Sequence, residues 1–109
     1  GWPDKGFEVQ VNNSHGDWKK TGGLYNVQDN KVPFQDNVWF TEHIIVKGKN
    51  VQVFVDGKKV SDWTQPDDWQ GPKGNPGRTL GAGATFAFQA HDPGSTIMYT
   101  NVRVKPLKK

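Results

Sequence analysis

Cysteine is absent from this chain of 109 residues. Disulfides and thiolate metal sites are therefore excluded, and the compartment stays undecided on this ground. Apolar residues make up only 33% of the sequence, and no apolar run is long enough to cross a bilayer as a helix. No stretch combines helix caps with an apolar helical period. The chain predicts one domain with a thin core, because a chain of this length buries only about two-thirds of its unfolded surface.

A concentrated positive charge is also missing. The net charge is +3, and several of the positive charges lie in the tail at residues 105–109. Acidic residues are spread through the remainder, so no basic stripe of the kind that binds nucleic acid is present. Neither a nucleic-acid partner nor a membrane partner is therefore expected.

Turn-forming and aromatic residues are plentiful instead. The chain has 13 Gly, 7 Pro and 5 Trp. This mixture is typical of an all-β domain with many loops. Residues 64–83 carry three prolines and many glycines and aspartates, so they predict a long loop, and loops of that length are often functional.

Alternating apolar and polar residues predict about eight strands. Asp56-Gly57 stands between two such runs and is the strongest short hairpin signal in the chain. Three strands around it should form a meander. The ranges predicted as strands before residue 64 are 6–12, 24–28, 38–47, 51–55 and 58–63.

A second hairpin is predicted over residues 85–105. Strands at 85–91 and 96–105 flank the turn sequence Asp92-Pro93-Gly94-Ser95. Their alternation gives each strand one apolar and one polar face. We expect these two strands to share a sheet with residues 6–12. The residues predicted to face the core are Phe7, Val9, Phe86, Phe88, Val102 and Val104.

The opposite face of these strands carries amide, carboxylate, imidazole and guanidinium groups, which recognise polar ligands such as sugars. They predict a binding site on one concave face of the sheet. Its members are Glu8, Gln10, Gln89, His91 and Arg103, rimmed by Tyr25, His15 and Trp69. Each has an ordinary alternative: solvent-facing strand residues, a turn cap at His91, a solvated loop at His15, packing for Tyr25, and a lid over the core for Trp69.

Other chemistries have little support. His15, His91, Glu8 and Asp92 could donate to a metal, but no short His-containing metal motif brings them together. No serine stands in a nucleophile elbow. Glu8 is the one carboxylate on the predicted polar face, which argues against the paired carboxylates of ordinary glycosidases. No metal and no cofactor are expected.

Four blocks of the chain carry a resemblance to a known family. FEVQVNNSH, KTGGLY, WFTEHIIVKGKNVQVFVDGKKVSDWTQP and GATFAFQAHDPGSTIMYTNVRVKPL resemble, in order and spacing, the 3-keto-disaccharide hydrolase family. The resemblance implies an antiparallel jelly-roll β-sandwich, similar to the concanavalin A-like lectins and glucanases. It also implies that residues 1–109 are a single sandwich domain without the N-terminal strands of the family. A homodimer, or a second chain that supplies those strands, is therefore expected.

The family's activity implies a substrate and a mechanism. The substrate would be a 3-keto-glycoside, cleaved after abstraction of the C2 proton and elimination at C1. His91 and Glu8 of the predicted polar face are the candidate catalytic residues, and either could be the base or the acid. The resemblance also implies a periplasmic or secreted bacterial protein. A non-catalytic carbohydrate-binding module on the same fold is the alternative. The remaining members of the site would bind substrate: Gln10, Gln89, Arg103, Tyr25, His15 and Trp69.

Overall fold

The computed structural model describes residues 5–72, 76–81 and 85–108. Over these ranges the chain forms antiparallel sheets and no helix, which confirms the all-β class and is consistent with a β-sandwich. None of the described residues form a helix that could cross a membrane. The five strands are β1 (Lys20–Leu24), β2 (Gln28–Asn30), β3 (Glu42–Lys47), β4 (Asn50–Val55) and β5 (Lys58–Thr64). One sheet is β1-β2, and the other has the order β3-β4-β5.

The predicted meander is confirmed in the sheet β3-β4-β5. Asp56 and Gly57 join β4 to β5 with positive φ values of 49° and 79°. Two consecutive positive φ angles are the mark of a type I′ turn, whose twist matches that of the strands it joins. Gly48, with φ of 57°, opens the equally short connection from β3 to β4. The turns therefore fix the pairs next to them, and an irregularity between Val53 and Phe54 shifts the remaining β4-β5 pairs by one residue.

The core lies between β4 and β1. Val51, Val53 and Val55 alternate along β4 and are buried, and Leu24 of β1 packs with Val51 and Val53. Their shared face is what the period-2 alternation of β4 predicts. Partly buried residues from several segments complete the cluster, namely Phe7, Val9, Val27, Trp63 and Leu80.

Two glycines let β1 lie close to its neighbours. A Cβ atom on Gly22 would lie 2.9 Å from Cγ1 of Val60 and 3.2 Å from Cγ2 of Val55. Ser61 Oγ donates a hydrogen bond of 2.7 Å to the carbonyl of Gly22. A Cβ atom on Gly23 would lie 2.6 Å from the backbone nitrogen of Asn30. The pair Gly22-Gly23, which lies between the predicted strands 6–12 and 24–28, thus belongs to a strand that needs glycine for close approach.

The segment of residues 8–12 runs antiparallel beside β1. Four backbone hydrogen bonds of 2.9–3.0 Å connect it to residues 21–25. Val9 is bridged to Leu24. This arrangement confirms that Phe7 and Val9 pack on the core, as their alternation predicts. The segment therefore acts as a third member of the β1-β2 layer.

The strand predicted at residues 24–28 is wrong. β1 ends at Leu24, and Val27 N–H donates to the Leu24 carbonyl at 3.0 Å, which closes a turn. Asn26 has a positive φ of 59°, a conformation that asparagine tolerates better than most residues. The residues predicted as one strand therefore form the turn between β1 and β2.

The strands predicted at residues 85–91 and 96–105 are also wrong. The turn between them is present, since Ser95 N–H donates to Asp92 O at 3.0 Å, but its flanks form no strand. Asn101 takes a positive φ of 52°, which interrupts the extended run. The prediction that this segment faces the core fails for four residues, which are exposed: Phe86, Phe88, Val102 and Val104.

Candidate functional site

Glu8 is held beside a buried guanidinium. The Tyr25 N–H donates to the Glu8 carbonyl at 2.9 Å, which fixes the backbone against the end of β1. The Glu8 carboxylate then lies with Oε2 3.6 Å from Nη1 of Arg78. The side chains are 25% and 7% exposed, so the carboxylate can be reached from solvent and the guanidinium lies deeper.

Arg78 is held in place by the long loop. The indole N–H of Trp69 donates to the Arg78 carbonyl at 2.8 Å, and Leu80 N–H donates to Gln65 Oε1 at 2.7 Å. Within the described part of the chain, the buried Nε and Nη1 atoms of Arg78 have no hydrogen-bond partner. A buried cation with unused donors is costly, because its desolvation is only partly compensated by Glu8.

Gln10 and Tyr25 lie near Glu8 on the layer formed by residues 8–12 and β1. The Gln10 amide donates to the Lys19 carbonyl at 3.4 Å. The Lys19 ammonium lies 4.1 Å from the centre of the Tyr25 ring, a cation–π contact. These contacts join two of the predicted binding residues to Lys19.

His15 meets the turn that follows His91. Its Nε2 lies 3.2 Å from Oδ2 of Asp92. Its Nδ1 accepts the Asp17 N–H at 3.1 Å, so Nε2 carries the proton and donates to Asp92. His91 directly precedes Asp92 in the chain, so this contact brings the His15 loop and the turn after His91 together.

Gln89, His91 and Arg103 are exposed in the C-terminal segment. Their convergence with Glu8 was argued from neighbouring strands, and the described residues 85–105 form no such strands. The observed ion pairs join Glu8 to Arg78 and His15 to Asp92. Convergence of all five predicted groups on one concave face stays a prediction.

Trp69 packs against another aromatic ring instead of being exposed as a binding surface. Its ring lies 4.9 Å from that of Trp63 in an edge-to-face contact, and Trp63 in turn lies 5.4 Å from Phe7. Edge-to-face rings at this separation stabilise one another. Trp69 therefore joins the long loop to the core, which fits the lid interpretation, while its role in binding substrate stays a prediction.

Trp18 offers a more accessible aromatic surface. It is 52% exposed and lines an open groove of about 430 Å³ together with Lys20 and Lys31. Lys20 Nζ donates to the His15 carbonyl at 2.8 Å. The groove therefore borders the loop that contacts Asp92.

Glu42 was missed by the sequence analysis. It lies on β3 opposite Val55, on the face that carries the core valines. Burial raises its pKa from 4.5 to about 7. Its Oε1 atom is buried without a hydrogen-bond partner among the described residues. Burial, and secondarily the charge of Glu42, raises the pKa of Tyr99. The sequence signal that could have revealed Glu42 is its position on the same face of β3 as the apolar residues Ile44 and Val46.

Arg78 was also missed, and no local pattern marks it. It stands in a stretch rich in Gly and Pro where side-chain direction cannot be inferred from alternation. In the ranges that the structure describes, no three His, Asp or Glu side chains gather as a metal site requires. The chemistry that these ranges present is a carboxylate beside a cation at Glu8 and Arg78, and an imidazole beside a carboxylate at His15 and Asp92.

A comparison with protein families gives an independent result. Residues 1–105 match the model of the 3-keto-alpha-glucoside-1,2-lyase-like domain. No curated protein and no solved structure matches the chain. The family match covers nearly the whole chain, confirms the resemblance carried by the four sequence blocks, and supports a function that acts on glycosides. The chain therefore belongs to the family of 3-keto-alpha-glucoside-1,2-lyase-like domains.

Proposed function

We propose that this domain cleaves the glycosidic bond of 3-keto-glycosides by elimination across C1 and C2. Family membership supports the substrate class and the bond. The observation that carries the proposal within the chain is the Glu8 carboxylate, three-quarters buried and 3.6 Å from Arg78. A partly desolvated carboxylate on a rigid backbone is suited to removing a proton from carbon.

The ketone makes this chemistry accessible. A carbonyl at C3 acidifies the proton on C2, because the electron pair left behind becomes an enolate. In the proposed reaction Glu8 takes the C2 proton, the enolate re-forms the C3 carbonyl, and the C1–oxygen bond breaks as C1=C2 forms. His91 protonates the departing oxygen. Addition of water to C1=C2 then completes a net hydrolysis.

Leaving-group dependence separates the two roles. A 3-keto-glucoside with an alkyl leaving group needs an acid, whereas a nitrophenyl leaving group does not. Glu8→Gln should reduce sugar release from both substrates by about a hundredfold or more. His91→Ala should reduce release from the alkyl glucoside and leave the nitrophenyl glucoside near the wild-type rate.

Asp67→Asn is the matched control for Glu8→Gln. It makes the same carboxylate-to-amide change on a side chain that is 96% exposed and pairs with Lys49. We expect wild-type turnover from it. Normal turnover by Glu8→Gln on both substrates would show that another group is the base.

Carbohydrate binding without catalysis is the second candidate. The exposed Trp18 and its groove favour it, since an accessible indole can stack on a sugar ring. Calorimetry with a 3-keto-glycoside decides between them. Affinity without release of sugar, even over days, would support the binding module.

The cellular location and assembly remain part of the proposal. We place the protein in the periplasm or outside a bacterial cell, as its family resemblance implies. Fractionation of cells expressing the natural gene, with immunodetection of the chain, tests this. We also propose a carbohydrate as its partner and either a second copy or another chain as a source of further strands.

A further inference from the structure

Two N–H groups of the Arg78 guanidinium have no hydrogen-bond acceptor among the described residues. Its side chain is 7% exposed, and its buried Nε and Nη1 atoms have no hydrogen-bond partner in the described ranges. Guanidinium groups that are buried for structural reasons are normally surrounded by acceptors, because each unused donor loses its bond to water. The carboxylate of Glu8, which pairs with it, lies at 3.6 Å, beyond ordinary hydrogen-bond length.

The surroundings hold this guanidinium in place before any ligand arrives. Trp69 donates to the Arg78 carbonyl, and its ring packs against Trp63 of β5. Glu8 is attached to β1 through the hydrogen bond from Tyr25. The two charged groups therefore approach each other from separate backbone segments, each anchored to a sheet. Such preorganised donors are worth most where charge develops during a reaction.

The spacing of the two groups fits a ketone with an acidic α-proton. By standard bond lengths, a carbonyl oxygen lies about 2.4 Å from the carbon next to its carbonyl carbon. A base over that carbon and a donor to that oxygen must therefore be close neighbours. Glu8 Oε2 and Arg78 Nη1, 3.6 Å apart, meet this requirement.

We propose that Arg78 donates to the C3 oxygen of a 3-keto sugar and stabilises the enolate formed when Glu8 removes the C2 proton. This inference rests on the proposed function and adds the oxyanion-binding group to it. The C2–H bond breaks, its proton goes to Glu8, and its electron pair forms C2=C3 while negative charge moves to the C3 oxygen. Arg78 keeps its proton throughout, since a guanidinium is not deprotonated in proteins.

Exchange of the C2 proton in deuterated water isolates this step. Free 3-keto-glucose has no aglycone to lose, so its exchange, followed by NMR, reports proton removal and enolate stabilisation alone. Arg78→Met should lower the exchange rate by about 10²- to 10³-fold, as loss of an oxyanion donor does. Arg78→Lys, which keeps the charge but not the fork of donors, should recover only part of the rate. Exchange by Arg78→Met at the wild-type rate would overturn the inference.

Binding of an enolate mimic tests whether Arg78 is a donor to an oxyanion, independently of whether the proposed reaction occurs. Ascorbate is a cyclic enediol that is anionic at neutral pH, and calorimetry measures its affinity without any turnover. We expect Arg78→Met to weaken ascorbate binding at least tenfold. If wild type releases no sugar and exchanges no proton but binds ascorbate through Arg78, the proposed reaction fails and the donor role stands. Absence of ascorbate binding by wild type, or equal binding by Arg78→Met, overturns the donor role.

Two controls separate this role from a structural one. Lys47→Met removes an exposed positive charge on β3 and should change neither exchange nor ascorbate affinity. Thermal unfolding of each variant shows whether it folds. Arg78→Met leaves the Glu8 carboxylate unpaired, but that side chain is 25% exposed and keeps part of its hydration, so we expect the variant to be destabilised and still folded. A loss of exchange that merely tracks a loss of folded protein, in both Arg78→Met and Arg78→Lys, contradicts the proposal.

Discussion

The meander β3-β4-β5 and the segment of residues 85–108 differ in how far they bury similar apolar side chains. Val53 in β4 is fully buried, whereas Val104 in the segment is 66% exposed. Both positions belong to runs in which apolar and polar residues alternate. β4 has a hydrogen-bonded strand on each side and β1 across its face, and the described segment has no ladder of its own. Alternation therefore becomes burial only where a partner strand and an opposing layer are both present.

Aromatic rings in the segment pack on each other instead. Phe88 lies 4.2 Å from Tyr99, and Phe86 lies 5.9 Å from Phe88. These contacts shield part of the apolar surface without a second layer. Burial, and secondarily the charge of Glu42 in β3, raises the pKa of Tyr99, so the two regions come near each other at this point.

Adding one methyl group at Gly22 should have the largest effect on stability. In Gly22→Ala the new Cβ would lie 2.9 Å from Val60, at a φ of 86° that alanine rarely adopts. Overpacking and backbone strain together should lower the unfolding free energy by roughly 3 kcal/mol or more. Gly94→Ala, in the C-terminal turn where a Cβ meets nothing within 4 Å, should change it by less than about 0.5 kcal/mol. Urea unfolding measures both, and equal effects would contradict the contrast between the regions.

Truncating one valine in each region gives a matched test. Val53→Ala should lower the unfolding free energy by roughly 2–3 kcal/mol, since it removes buried methyl groups and leaves a cavity. Val104→Ala removes the same atoms from an exposed site and should cost less than about 0.5 kcal/mol. Chemical denaturation of the two variants provides the comparison. A cost at Val104 as large as that at Val53 would mean that the segment is buried in solution.

The raised pKa of Glu42 predicts that the free energy of unfolding depends on pH. Its pKa is 4.5 ordinarily and about 7 in the folded chain, so between these values the folded state holds a proton that the unfolded state has lost. Stability should therefore fall as pH rises from about 4.5 to 7 and level off above that range. The full shift corresponds to about 3 kcal/mol, and partial exposure reduces our expectation to roughly 2 kcal/mol.

Glu42→Gln removes the titrating group and should flatten this part of the pH profile. Thermal unfolding from pH 4 to pH 8 follows both proteins. Asp67→Asn serves as the control, because Asp67 is exposed and its pKa is lowered by its hydrogen bond to Lys49, so its removal should leave the fall between pH 4.5 and 7 in place. A profile for Glu42→Gln that matches wild type would contradict the assignment.

Changing the exposed apolar residues should have the smallest effect on stability and a clear effect on association. Met98 and Val104 are 71% and 66% exposed. Exposed apolar surface of this kind favours pairing with another chain. We expect wild type to be a dimer by light scattering at high concentration, and the double variant Met98→Lys with Val104→Lys to be a monomer. Its unfolding free energy should lie within about 0.5 kcal/mol of that of wild type diluted until the dimer dissociates. A wild-type monomer at high concentration would contradict the predicted dimer.

Some features of this protein follow from the sequence because they depend on neighbouring residues. Asp56-Gly57 predicted its hairpin correctly, since the two positive φ angles are a local property of these residue types. The alternation around Val9 correctly predicted that Phe7 and Val9 pack on the core. The four sequence blocks also identified the family, which the comparison then confirmed.

Other features depended on contacts between distant segments. Gly22-Gly23 looks like a loop until Val60 and Asn30 are seen to occupy the space where Cβ atoms would be. Arg78 gained its position from a loop whose side-chain directions follow no period. Glu42 is separated from Tyr99 by more than fifty residues, so the sequence could not show that they interact.

By itself, therefore, the sequence determined the all-β class, the meander, the family and the packing of Phe7 and Val9 on the core. Tertiary structure decided which alternating runs are buried, that Glu8 faces Arg78, and that His15 meets Asp92. The physical reason is the range of the interactions concerned. Turn geometry and side-chain alternation act over a few residues, whereas burial and ion pairing depend on which layers meet, and no single segment specifies its own partner.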